Sequence, residues 1–274
     1  MQRRILWIVV AVVVIGLAAV FYPRRATDLP PVPVDLPEPP AASDPADGPA
    51  APPAEPEPAP AFVAEEAVEP ATPLPSLDES DEAARAALAE VAGETLVERY
   101  LVSDALVRKL VATVDNLPRE ALWIKARAVP PIEGRFIAEG PEDGLVIGPA
   151  NHARYAPLVR LVGALDAVAL AAAYQRHYPL LQQAYEELGY PGRQFHNRAL
   201  EVIDHLLATP RATGPIRLAQ PHVLYTFADP SLEALSPGQK VLLRIGPDNA
   251  GIIRAKLIEL RAALEDLSAA VPAN

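Results

Sequence analysis

Between Pro23 and Pro75 the chain carries 17 of its 32 prolines, with ten acidic residues against only Arg24 and Arg25. Proline fixes φ and lacks an amide hydrogen, so neither a helix nor a sheet ladder can run through this stretch. Its few large apolar side chains cannot offset the entropy of ordering a backbone, and repulsion between carboxylates extends it. A disordered, partly polyproline-II spacer is expected. At about 3.1 Å per residue where extended, 53 residues reach on the order of 100–150 Å. The segment "LPPVPVDLPEPP" would also suit a proline-recognising domain, but such runs are ordinary in spacers. The spacer cuts the chain into residues 1–22, 23–75 and 76–274, and only the last can bury a sizeable core.

Ahead of the spacer, residues 5–22 are eighteen uncharged residues rich in Val, Ile, Leu and Ala. As a helix they measure about 27 Å, close to the thickness of a bilayer core. A cleaved secretory signal is the rival reading, with Arg3 and Arg4 as its basic start and Leu17-Ala18-Ala19 as its small-residue end. The apolar run is longer than the usual signal core, and Arg24 and Arg25 follow it closely, so an uncleaved anchor in a lipid bilayer is expected. Gly16 is its only glycine, which leaves no GxxxG dimer face. Arginines flank both ends, and the starting amine tips the orientation to N-terminus inside. The rest of the chain is then periplasmic, with the anchor in a bacterial inner membrane. The absence of cysteine suits an oxidising compartment and removes thiolate nucleophiles, iron–sulfur clusters and cysteine zinc sites.

Residues 76–274 hold 25 acids and 20 bases, a balance of −5 with no basic stripe, which gives no electrostatic case for nucleic acid. Helical patterns dominate. "SDEAARAALAEVAG" places Ser80 as an N-cap and Gly93 as a stop. "SDALVRKLVATVDNLP" puts Leu106, Val107, Leu110, Val111 and Val114 on one face, starting at Ser103. Further helices are expected over 150–163, over 166–188 with Pro179 kinking or splitting it, and over "RQFHNRALEVIDHLLATP" with Phe195, Ala199, Val202, Ile203 and Leu206 inward. "SPGQKVLLRIG" carries a capping box in Ser236 and Gln239 with Pro237 at the first helical position. The last helix, 247–267, aligns Ile253, Leu257, Leu260, Leu264 and Leu267 in a narrow seam that is expected to close its own bundle. "RFIAEGPEDGLVIG" reads as a hairpin, and "PIRLAQPHVLYTF" adds two short runs that could join it in one small sheet. The expected fold is mainly α, a bundle-like helical domain with a minor β element, preceded by one transmembrane helix and a disordered linker.

Motifs for common chemistries are missing: no GxSxG, GxxxxGK[ST], GxGxxG or HExxH occurs. His152, His177, His196, His205 and His222 form no HxH or HxxxH pair, so no metal and no cofactor is expected. One helix face gathers Asn197, Glu201, Asp204 and His205, with Glu201 and His205 four residues apart; it could orient an imidazole, and it also resembles a solvated face. Glu186 and Glu187 point in different directions around their helix and read as surface charge. Five of eight tyrosines fall between residues 155 and 190 beside Arg154, Arg176, His177 and Arg193. Tyrosine offers an apolar face with a polar tip and arginine clamps carboxylates, so Tyr174, Tyr178, Tyr185, Arg176 and His177 are the expected ligand-binding group; the alternative is a core stripe with bonded hydroxyls. Three helix ends crowd into "FADPSLEALSPGQKVLLRIGPDN", where free amides with Lys240 and Arg244 could hold an anion unless the caps satisfy themselves.

The blocks "VATVDNLPRE", "YPLLQQAYEELGYP", "ALEVIDHLLATP" and "VLYTFADPSLEALSPGQKVLLRIGPDNA" resemble the bacterial family termed domain of unknown function 3014, over about Leu77 to Leu267. The resemblance implies a proteobacterial envelope protein with an N-terminal membrane segment and a proline-rich linker, and it brings no catalytic residues to carry over. The leading expectation is a non-catalytic module that binds a periplasmic protein or peptidoglycan. The alternatives are a hydrolase of envelope polymers using Glu201, Asp204 and His205, and an assembly factor pairing through its C-terminal seam.

Overall fold

The computed structural model describes residues 74–119, 127–221 and 223–269. The expected anchor, residues 23–73 of the expected linker and His222 lie outside the described residues. Among the described residues no single helix is long and apolar enough to cross a membrane. The architecture is mainly helical with two small hairpins.

A 3-10 turn, Leu77–Glu79, leads into α1 (Ser80–Ala92) and α2 (Glu94–Tyr100). Ser80 is not the cap that the sequence suggests: it lies inside the helix, and its hydroxyl donates back to the Leu77 carbonyl at 2.8 Å. Gly93, at φ +82°, ends α1 and opens α2, a backbone angle that costs glycine no Cβ clash. The third helix, α3 (Leu106–Asn116), begins three residues later than expected, because its cap is tertiary. The Ala105 and Leu106 amides donate to the two carboxylate oxygens of Asp81 on α1, each at 2.7 Å. That satisfies two of the amides every helix start leaves free. Its apolar face, Leu106, Val107, Leu110, Val111 and Val114, is buried as its spacing implies.

The helix expected over 150–163 is two helices, α4 (Pro149–Ala153) and α5 (Ala156–Gly163). Pro157 explains the break, since its ring excludes the hydrogen bond that would carry the first helix into the second. In α6 (Ala167–Glu187) Asp166 is the cap, accepting from the Val168 and Ala169 amides at 2.8 Å. Pro179 sits within this helix without splitting it and points to solvent. Then come α7 (Phe195–Leu207), α8 (Pro230–Glu233), α9 (Pro237–Arg244) and α10 (Pro247–Ala269). The expected box closes α9, with both Ser236 and Gln239 in place.

The core is organised around α6, which packs on α3 and on α10, while α10 also covers α5 and α7. Ile253, Leu257, Leu260 and Leu264 are all buried there, so the seam closes the chain's own bundle. Two antiparallel hairpins make the minor β element. In the first, β1 (Ala138–Glu139) pairs with β2 (Val146–Ile147), and in the second, β3 (Leu218–Ala219) pairs with β4 (Thr226–Phe227). A bridge between Val146 and Arg217 joins them, which brings the four expected strands together. Their inward residues Ile147, Leu218 and Phe227 form a satellite core with Leu243 of α9.

Candidate functional site

The tyrosine stripe of α6 faces inward. Tyr174, Tyr178, Tyr185 and His177 are buried, and Arg176 is half-buried. Tyr174 lies among the rings of Tyr178, Phe195 and His196 at centroid distances of 5.6, 6.5 and 5.7 Å. Tyr185 stacks on Tyr190 at 4.6 Å. The Tyr178 hydroxyl donates to Gln182 Oε1 at 2.9 Å, and His177 Nδ1 lies 3.1 Å from the Ala173 carbonyl. Tyr174 differs, for among the described residues its buried hydroxyl has no hydrogen-bond partner. Burial pushes the Tyr178 and Tyr185 phenols up to about 12 and that of Tyr174 well above the usual range. Four of the five side chains expected to make contact thus belong to the core. The spacing of the stripe is the spacing of a packed helix face, and periodicity alone cannot say which way such a face points.

The polar face of α7 does not converge either. Asp204 accepts from Arg261 Nε of α10 at 2.6 Å, and Glu201 pairs with Arg198 at 3.2 Å. His205 Nε2 lies 2.8 Å from Ser236 Oγ, the hydroxyl that also accepts from the Gln239 amide as the α9 cap. Gln239 Nε2 returns a hydrogen bond to the His205 carbonyl at 3.1 Å. Burial, and then the nearby Arg198 charge, lower the His205 pKa. The two carboxylates and the imidazole therefore face three different partners, where acid–base work needs them to share one substrate space.

At the crowded corner the starts of α8 and α9 are capped from within. Asp229 caps α8 through the Ser231 amide at 2.8 Å, and Lys240 pairs with Glu233 at 2.6 Å. The Arg244 guanidinium lies over the Phe227 ring at 5.1 Å. Gly246, at φ +89°, sits against His152, where an added Cβ would come within 2.4 Å of the imidazole. Lys240, Arg244 and the capped amides of α8 and α9, all expected to meet an anion, are thus engaged within the corner.

One polar cluster escaped the sequence reading. Buried Asp115 of α3 accepts from Arg119 Nη2 at 2.6 Å, from Arg198 Nε of α7 at 2.9 Å and from the Tyr190 hydroxyl at 3.3 Å. Arg198 Nη2 also donates to the Asp115 carbonyl at 2.9 Å, and Arg119 reaches Tyr190. The i,i+4 spacing of Asp115 and Arg119 was visible in the sequence; Arg198, 83 residues away, was not. Among the described residues no group of three His, Asp or Glu side chains is placed to hold a metal ion.

Open concave surface among the described residues lies on the two sides of α2. Between α2 and α5 runs a groove of about 320 Å³, lined by Thr95, Arg99, Tyr100, Pro157, Arg160 and Leu161. Arg99 and Arg160 are exposed, with the Arg99 guanidinium 5.5 Å over the Tyr100 ring. Neither arginine meets a carboxylate among the described residues. A second groove of about 500 Å³ lies between α1 and α2. There Asp81 is committed to capping α3, and Arg85 donates to the Val102 carbonyl at 3.1 Å. Glu82, Glu94 and Glu98 remain on the rim above Ala86, Ala89 and Val97. The charge pattern of "ETLVERY" held the only hint, because Glu94 and Glu98 share one side of α2 while Thr95 and Arg99 share the next.

A mainly helical module with a hairpin corner, opened into two grooves of opposite charge at its N-terminal layer, is the class these observations define. The chain belongs to the family described as Protein of unknown function (DUF3014), which matches residues 106–261, more than half its length. The match begins at α3, so α1 and α2 precede it; the acidic groove lies wholly ahead of the matched region, and the arginine groove shares α5 with it. No curated protein and no solved structure matches the chain.

Proposed function

We propose that the chain is a single-pass, N-in protein of a bacterial inner membrane. In this reading residues 5–22 hold the bilayer, residues 23–75 form a disordered spacer, and the helical module holds a periplasmic protein or a cell-wall component without catalysing a reaction. The observation that carries the reading is the pair of open grooves beside α2. Among the described residues Arg99, Arg160, Glu82, Glu94 and Glu98 form no ion pair beside the apolar side chains of these grooves, whereas Glu201, Asp204 and His205 are tied to Arg198, Arg261 and Ser236. Charge around an apolar centre is how recognition surfaces combine specificity with affinity. Of the two, the acidic groove suits a partner from outside: Glu82, Glu94 and Glu98 favour a cationic segment that covers Ala86, Ala89 and Val97.

Photo-crosslinking tests this in living cells. The full-length protein would carry p-benzoylphenylalanine in place of Glu82 or Glu94, with Ser231 on the far corner as control. A discrete adduct from the groove positions and none from Ser231 is expected. Equal capture at all three positions, or none at either groove position, would overturn the assignment.

A further inference from the structure

We propose that the arginine groove between α2 and α5 is a docking surface for this chain's own Phe62–Glu69, the one segment of the otherwise disordered spacer that is held against the module. The lining sets the chemistry. Arg99 and Arg160, both exposed and without a carboxylate partner among the described residues, line the groove with Thr95, Tyr100, Pro157 and Leu161. Such a surface favours an extended segment that offers carboxylates beside an apolar anchor. The stretch from 23 to 75 supplies ten carboxylates but a single aromatic residue, Phe62, and Glu65, Glu66 and Glu69 follow it directly. No other window of the stretch joins an aromatic ring to three acids.

Attachment and charge favour the same occupant. Leu74 packs against the core, so Phe62 is tethered twelve residues from a fixed point. Twelve residues span up to about 40 Å, roughly the width of a 199-residue domain. A tether this short holds the segment at an effective concentration in the millimolar range, so two modest ion pairs and one buried ring suffice for docking. The neighbouring groove repels it through Glu82, Glu94 and Glu98, and the module as a whole is acidic, whereas Arg99 and Arg160 make the arginine groove complementary to it.

The chain contains no cysteine, so pairs can be placed cleanly. In the full-length protein in detergent micelles, Ala67→Cys would be combined with Thr95→Cys in the arginine groove or with Ser103→Cys in the acidic one. Mild oxidation should form the 67–95 disulfide within one chain at least fivefold faster than the 67–103 disulfide. Glu65→Lys/Glu66→Lys/Glu69→Lys, which alters no residue of the helical module, should remove that advantage. Adding Arg99→Glu/Arg160→Glu should restore it by swapping the charges. Equal rates at 95 and 103, no change on reversing the glutamates, no restoration by the swap, or a 67–95 bond that forms between two chains would each refute the docking. These readouts are intramolecular and do not depend on whether the acidic groove captures a partner.

Discussion

Replacing Asp115 by alanine should be among the most damaging single polar substitutions in the module, and the structure sets its size. The Asp115 side chain is 5% exposed, Arg198 23% and Arg119 44%. Removing one member of a buried ion pair costs about 3–5 kcal/mol, because the remaining charge stays desolvated. Arg119 can turn to water, but Arg198 remains partly buried against the Asp115 carbonyl, so the lower end applies, about 3 kcal/mol. Asp204 is the internal control. Its pair with Arg261 is 53% and 35% exposed, and an open pair contributes about 0.5 kcal/mol. At about 2–4 °C per kcal/mol for a domain of this size, Asp115→Ala should lower the melting temperature by about 6–12 °C and Asp204→Ala by about 1–2 °C. Circular dichroism melts of the full-length chain in detergent micelles would measure both. A double-mutant cycle with Arg198→Ala should return a coupling of about 1–3 kcal/mol. If Asp115→Ala falls within error of Asp204→Ala, or if the cycle is additive, burial does not govern the strength of this network.

Tyr174→Phe should be neutral or stabilising by up to about 1 kcal/mol, because it removes a buried hydroxyl that has no partner among the described residues; a loss of more than 1 kcal/mol in urea unfolding would show that the hydroxyl is bonded after all. Acid should destabilise the fold through its buried imidazoles. Burial lowers the His196 pKa from 6.5 to about 4, so the unfolded chain takes the proton first. The contribution of neutral His196 is complete above pH 6.5 and is lost as pH falls toward 4, reaching at most about 3 kcal/mol. His152 and His205, lowered chiefly by burial, act in the same direction. Melting temperatures from pH 7.5 to 5 should therefore fall, and His196→Asn should make that slope shallower; an unchanged slope would remove His196 from the account.

What the sequence determined on its own was local. The stripe of Leu106, Val107, Leu110, Val111 and Val114, the seam of Ile253, Leu257, Leu260 and Leu264, and the Ser236–Gln239 box all fold as their spacing requires. Helical periodicity and capping act within a few residues, and such patterns survive whatever packs around them. The tertiary structure decided the rest. It started α3 at Leu106, because Asp81 supplies a cap from 25 residues away. It turned Tyr174, Tyr178 and Tyr185 into core, because a stripe shows which side chains share a face and not whether protein or water meets it. It joined Asp115 to Arg198 across 83 residues, and it opened the grooves beside α2 from helix faces that read singly as solvated surface. Burial and concavity belong to the arrangement of elements, and a linear pattern carries the address of each side chain without that of its neighbour in space.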